Sequence, residues 1–483
     1  MGMSGPIPWT AWTVMLPCLG ALLFFFGPAR RPALILAMAA AILLTVAGLT
    51  MQVWELGTQR HAAGNWQPPL GIVLHADGLA VLMLAMTGLT GAAASLYATA
   101  YFSRTEQRNG YFWPLWFFLW AGLNALFLSA DIFNIYVTLE LAGLAAVALV
   151  ALSGGREAAA AAMRYLLVAL LGSLFYLLGV ALLYGAGSSL DLQTIGLGLA
   201  GTPVLRTAAA LMTVGLLLKT ALFPLHFWLP AAHANAPAPV SAVLSGLVVK
   251  ASFYLLLRLW LGPFAPLLQP QPALVLGLLG SAAIFWGSGL ALRQKRLKML
   301  VAYSTVAQIG YLFLLFPLAA AALPALRTAA IEAGVCHALS HAFAKGAMFL
   351  AAGSVIRAVG HDRMDEIGGI WHHMPMSVFA LGAAGVTLMG LPISGGFIAK
   401  WLFLTTALAS GQWWWAPVIL AGGLLAAAYI YPLWRYGLGR PAGNTAEFRA
   451  VPKSMELSAL FLALLSLFMG MAAGPVLAML AKS

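Results

Sequence analysis

Charge and cysteine are what this chain has least of. Of its 483 residues only 8% are Asp, Glu, Lys or Arg, and the cysteines number two, Cys18 and Cys336. Two cysteines in separate apolar runs make no CxxC pair and no iron–sulfur spacing, and no glycine-rich dinucleotide fingerprint is present. The chain therefore has no visible means of handling electrons, and no cofactor is expected in it. Apolar–polar alternation of strand period is missing, which argues against a β-barrel. The links between apolar runs are mostly short, so no extramembrane domain is large enough for a soluble active site.

What is there is apolar: 62% of the residues are hydrophobic. That composition predicts an all-α polytopic membrane protein. About fourteen runs of spanning length begin near Pro8, Ala33, Asp77, Tyr111, Ile132, Ala159, Thr207, Val240, Pro272, Met299, Ala329, Met376, Trp414 and Glu456. The net charge of +12 could suggest nucleic acid, but its placement points to the membrane. With the first link cytoplasmic, one side collects Arg30, Arg31, Arg104, Arg108, Arg156, Arg164, Arg293–Lys298, Arg357, Arg363 and Arg435–Lys453. The other side holds Arg60, Arg206, Arg258, Arg327 and Lys482. This bias predicts both termini on the outer side, and a prokaryotic cytoplasmic membrane is the expected setting. No basic segment precedes the first helix, which reads as a permanent span.

Against this background a few ionisable residues stand in mid-span: Glu140, Lys219, Lys250, Lys345 and Lys400. Each costs roughly 2.5–3.5 kcal/mol at the bilayer centre, and such residues mark ion or proton pathways by default. Glu140 and Lys219 can form a pair that switches between ionised and neutral arrangements, or a static pair that fixes packing. Lys250 has no acidic neighbour in sequence and suits a proton carrier. His337, His341 and Lys345 recur every four residues and share one helix face, where imidazoles can relay protons. Two histidines at that spacing could also hold zinc, but HALSH lacks the glutamate of HExxH and Lys345 would repel a cation, so no metal is expected. His226, His233 and Glu332 are candidate entrance groups. Arg258 reads as a snorkelling residue. Asp77 and Asp131 read as helix caps, and Trp413–Trp415 as interfacial anchors.

Two helices look broken. Pro224 and Pro230 follow Lys219, and Gly390–Pro392 with Gly395–Gly396 precede Lys400. Proline opens a helix locally, and freed carbonyls survive at membrane depth only where protein or water satisfies them. One such break in each half suggests inverted repeats, at 111–263 (helices 4–8) and 272–439 (helices 9–13), flanked by 1–110 (helices 1–3) and 440–483 (helix 14).

At these segments the chain resembles the antiporter-like subunits shared by respiratory complex I, membrane-bound hydrogenases and Mrp-type sodium/proton antiporters. The resemblance rests on HADGLAVLML from His75, DIFNIYVTLEL from Asp131, and KTALFPLHFWLPAAHANAPAPVSAVLSGLVVK from Lys219 to Lys250. It continues in AYSTVAQIGYL from Ala302, HALSHAFAKGAMFLAAG from His337 and GLPISGGFIAKW from Gly390. The first two stretches and the length look most like the Mrp D-type subunit, and no lateral-helix extension follows the fourteenth helix. RQKRLK, before AYST, departs from the family in lacking an acidic residue. The resemblance implies fourteen helices, two inverted five-helix repeats each with a broken helix, and half-channels joined by a polar axis. It makes Glu140 and Lys219 the coupled pair, Lys250 the connecting lysine, His337 and His341 the relay and Lys400 the terminal lysine. Implied partners are other hydrophobic subunits, protons and Na+, with no nucleic acid. A proton-pumping subunit of a complex I-like or hydrogenase complex is the rival expectation.

Overall fold

The computed structural model describes residues 8–27, 31–66, 71–102, 110–195, 198–320, 323–439 and 448–482. Arg30, Arg104, Arg108 and Arg440, four of the basic residues that bear on orientation, lie outside the described residues.

The fold is a helical bundle whose helices begin close to the starts of the apolar runs. The first group is α1 (Trp9–Phe26), α2 (Pro32–Leu56), α3 (Gly78–Tyr101), α4 (Phe112–Leu128), α5 (Ile132–Ala151), α6 (Gly155–Gly187) and α7 (Pro203–Thr220). A short α8 (Leu229–Asn235) follows, and then α9 (Ala238–Val243), which passes through a π-helical turn at Leu244–Val248 into α10 (Val249–Leu261). Next come α11 (Pro270–Leu292), α12 (Leu297–Phe313) with its continuation α13 (Leu315–Ala319), and the long α14 (Pro324–Val359). The last group is α15 (Pro375–Met389), α16 (Gly395–Ala409), α17 (Trp415–Leu438), α18 (Lys453–Phe468) and α19 (Ala473–Leu480). One antiparallel hairpin, β1 (Gln59–Ala62) with β2 (Val73–Ala76), interrupts the helical order between α2 and α3.

Among the described residues eleven helices are long and apolar enough to cross a bilayer, or twelve if α18 and α19, bent by 76°, form one span. The shorter apolar helices α4, α15 and α16 accompany them. The chain is a multi-pass membrane protein.

Local chemistry sets the helix ends. Proline occupies the first turn of α2, α7, α11, α14 and α15, where its missing N–H costs nothing. Asp77 accepts from Ala80 N at 2.9 Å and Asp131 from Asn134 N at 2.6 Å, so both carboxylates do cap helices. Helices approach closely at glycine: a Cβ on Gly215 of α7 would sit 2.3 Å from the carbonyl oxygen of Gly172 on α6. Burial separates centre from periphery. The span Ala238–Leu261 has 94% of its central stretch buried and α14 has 83%, against 33% for α1, α2 and α17. The elements carrying Lys250, His337, His341 and Lys345 are therefore the enclosed ones.

Candidate functional site

Glu140 lies midway along α5 and Lys219 in the last turn of α7. Their Nζ and Oε1 are 3.1 Å apart, with 6% of the lysine side chain and 19% of the glutamate side chain exposed. The Ser173 hydroxyl of α6 donates to the same carboxylate oxygen. The helix carrying Lys219 stops at once: Ala221 adopts φ +57°, and the chain turns before α8. The break exposes the last carbonyls of α7, and Trp228 Nε1 donates to Leu218 O at 3.0 Å to satisfy one of them.

Lys250 is fully buried in α10, and its Nζ donates 2.5 Å to Ser245 O inside the π-helical turn. A π turn frees a carbonyl from the regular ladder, which gives the ammonium an uncharged acceptor. Ser245 Oγ in turn lies 2.9 Å from Thr305 Oγ1 on α12. Lys345 of α14 is also fully buried and donates to Val301 O at 2.6 Å and Ser304 Oγ at 2.5 Å, again on α12. His337 and His341 stack with ring centroids 5.7 Å apart. His337 Nε2 meets Gln308 O at 3.0 Å, while both nitrogens of His341 are buried without a protein partner.

Lys400 sits in the second turn of α16. Just before it α15 ends at Gly390, with φ +80°, and Ser394 caps α16. Lys400 Nζ donates to Leu388 O at 2.7 Å and Met389 O at 3.0 Å, the carbonyls that this break sets free, and lies 4.6 Å from the centre of the Tyr311 ring. A cation at the C-terminal end of a half-helix is favoured by the helix dipole as well as by these bonds.

The three candidate entrance groups fall in different surroundings. His226 is buried against Phe223 in the link after α7, and Glu332 is partly exposed near the start of α14. His233 is fully buried and stacks 4.8 Å from Phe349, whose ring also faces Lys345 Nζ at 5.7 Å. It therefore belongs to the interior line and not to an open mouth.

Two charges depart from the sequence expectation. Arg258 does not snorkel: it makes a bidentate ion pair with Asp77 and donates from Nε to Tyr254 OH at 2.9 Å. Asp77, just outside the α3 span, is thus both a cap and a counter-ion. Burial alone would push its carboxyl up, but the Arg258 guanidinium and hydrogen bonds from His75, Arg258 and Ala80 outweigh this and hold it well below the usual carboxylate range. Arg258 borders a cavity of about 550 Å³ that is also lined by His75, Gln193 and Tyr254. Lys298, a link charge by its sequence position, is only 7% exposed and donates 2.5 Å to Ala236 O beneath the link after α8. It borders a second cavity, of about 610 Å³, on the basic side. The hydroxyl and amide ligands on α12 were missed altogether. Ser304, Thr305, Gln308 and Tyr311 recur at spacings of three and four, a polar stripe that could have marked α12 as facing the charges.

Fold and interior together define a multi-pass membrane protein with ionisable side chains held along its enclosed helices. Its kind is fixed by comparison. A family profile described as "NADH:quinone oxidoreductase/Mrp antiporter, TM" matches residues 129–426. The N-type subunit of the NADH-quinone oxidoreductase of Desulforudis audaxviator is 36% identical over 431 residues, 86% of this chain and 83% of that protein. The D-type subunit of the Na(+)/H(+) antiporter of Alkalihalophilus pseudofirmus is 28% identical over 96% of this chain and 94% of its own. A chain in the structure of the Mrp complex from Dietzia sp. superposes with a TM-score of 0.90 at 24% identity, covering 99% of this chain and 97% of that one. The chain belongs to the family of membrane subunits common to NADH:quinone oxidoreductases and Mrp antiporters.

Proposed function

We propose that this chain is a proton/cation-translocating subunit of a multisubunit Mrp-type Na+/H+ antiporter. Other hydrophobic subunits are its partners, and its setting is the prokaryotic cytoplasmic membrane with both termini outside. The observation that carries the reading is the Glu140–Lys219 contact at 3.1 Å beside a helix break, in a bundle that also buries Lys250, Lys345 and Lys400. In this reading Glu140 holds Lys219 in its charged form. When the pair opens, Lys219 gives its proton inward toward Lys250. From there Lys345, His341 and His337 pass protons toward Lys400, with His226 and Glu332 serving entry and His233 lying on the interior line. The fourteen spans would be the eleven long helices, α4, the broken pair α15–α16, and the bent pair α18–α19. The two inverted repeats would be 111–263 and 272–439.

A second reading has its own support in the 36% identity to an N-type oxidoreductase subunit. There the chain would be the proton-pumping arm of a complex whose redox chemistry lies in partner subunits. One experiment separates the two. The tagged chain is purified in mild detergent, its partners are identified by mass spectrometry, and iron and nickel are assayed. Small hydrophobic partners without iron or nickel support the antiporter. Iron–sulfur or nickel proteins in fixed proportion support the redox complex.

A further inference from the structure

Gln308 of α12 lies between His337 and Lys400 and touches both of their environments. It is 1% exposed, and its main-chain oxygen is 3.0 Å from His337 Nε2. A carbonyl can only accept, so Nε2 carries the hydrogen of neutral His337 and Nδ1 is left with the lone pair. That Nδ1 is buried without a protein partner, which makes it the nitrogen open to an incoming proton. On the other flank, Gln308 Nε2 donates to Leu388 O at 3.3 Å and to Tyr429 OH at 3.1 Å. Leu388 O is the same oxygen that Lys400 Nζ holds at 2.7 Å. The carbonyl fixes the amide orientation, because only the NH2 end can face it. Gln308 Oε1 then points into the interior with no partner, buried like the Nδ1 of His337.

A buried acceptor left unsatisfied costs about 1–3 kcal/mol, and such a group in a native fold calls for an unseen water or a role. The surroundings are polar and closed. Tyr311 packs 5.3 Å from the His337 ring and places its own ring under Lys400, while donating its hydroxyl to Ile419 O at 3.0 Å. We propose that Gln308 is the positioning residue for proton transfer between His337 and Lys400. Its main chain fixes the accepting tautomer of His337. Its Oε1 holds the water that bridges the two, and its amide NH2 responds to the charge on Lys400 through their shared carbonyl. When Lys400 is an ammonium it holds Leu388 O. When it has lost its proton its hold on that oxygen weakens, and the bond from the Gln308 amide, already present at 3.3 Å, tightens. The step needs no other reagent: a proton leaves Nδ1 of the His337 imidazolium for the bridging water, and a proton of that water passes to the Lys400 amine.

The titratable groups around Lys400 are Tyr311 from α12, under its ammonium, and His337 from α14, with His341 one turn further; Tyr429 from α17 is joined to them through the Gln308 amide. From α15 it receives main-chain carbonyls. The carboxylate of α18, Glu456, is bonded to Ser377 at the far end of α15. An acid placed at 308 would therefore be the first carboxylate beside Lys400.

Gln308 can have this role only if protons move along the axis, so the test carries its own control. Gln308→Leu, Gln308→Glu, Tyr429→Phe and Lys400→Ala are made in the full complex, and proton flux in membrane vesicles is followed against pH. Gln308→Leu is expected to lower flux about a hundred-fold, as misplacement of reacting groups by an ångström does. Gln308→Glu is expected to move the pH profile alkaline, since an adjacent carboxylate favours the ammonium. A role in packing alone would leave that profile in place. Full flux in Gln308→Leu with an unmoved Gln308→Glu profile overturns the proposal, provided Lys400→Ala abolishes flux. If Gln308→Leu fails to assemble, wild-type profiles in both Gln308→Glu and Tyr429→Phe overturn it. Full flux in Lys400→Ala instead overturns the axis itself.

Discussion

Replacing Glu140 by glutamine removes one charge from the interior and almost nothing else. The amide has the same shape, so packing of α5 against α6 is kept, and the Ser173 hydroxyl still finds an oxygen to which it can donate. What is lost is the attraction on Lys219. At 3.1 Å, and with the effective dielectric of about 20 that suits buried protein sites, two unit charges attract by about 5 kcal/mol. Moving a two-state equilibrium from 1:99 to 99:1 takes about 5.5 kcal/mol. In the proposed function, opening or closing this one contact would supply most of that shift in the proton occupancy of Lys219, which is the property a coupled pump or antiporter needs. Glu140→Gln is expected to assemble normally and to reduce proton flux to background. Assembly is checked by native electrophoresis of the purified complex, and flux by a pH-sensitive dye in vesicles. Normal assembly together with undiminished flux would show that the pair is a static packing contact.

Arg258→Gln should destabilise the fold by roughly 3–5 kcal/mol, because Asp77 is left buried without its guanidinium; an unchanged thermal midpoint in detergent would contradict this. The low proton affinity of Asp77 gives that contact a pH sign. Its stabilisation is fully present above the unfolded carboxyl value of about 4 and is lost as pH falls below it. The difference in stability between wild type and Asp77→Asn should accordingly shrink in acid, and a gap that stayed constant down to pH 3 would refute it. Lys250→Met should stop flux while leaving the complex intact, and normal flux would remove Lys250 from the pathway. Gly215→Leu should prevent assembly, since even its Cβ would lie 2.3 Å from Gly172 O. Recovery of normal complex would mean that α6 and α7 can separate at little cost.

Depth in the membrane is written along a sequence, and azimuth around a helix is not. The positions of Glu140, Lys219, Lys250, Lys345 and Lys400 in mid-span were therefore legible, as were the breaks beside Lys219 and Lys400, because Pro and Gly mark them directly. Partners across helices were not. Arg258 stands three residues from the end of α10, where snorkelling is the simpler expectation, yet Asp77, 181 positions earlier, reaches it. Lys298 lies among link charges in sequence, but the chain after α8 folds over it. The stripe on α12 went unread because Ser, Thr and Gln are common in helices of every kind, and only the lysines facing them give those hydroxyls and amides a task.

The acceptors chosen by the lysines have a consequence of their own. Lys250, Lys298, Lys345 and Lys400 all rest on main-chain oxygens, and of the buried lysines among the described residues Lys219 alone is ion-paired to a carboxylate. A lysine held by a neutral dipole leaves no stranded anion behind when it becomes an amine, so its charge can come and go without rearranging a counter-ion. Neighbouring ammonium groups still repel one another, and the interior has little negative charge with which to quiet them. In the proposed pathway such a row would act as a file of shallow seats, each made less favourable when a neighbour is taken. There each arrival at one end would favour a departure at the other, with the carboxylate beside Lys219 setting when the first seat is filled.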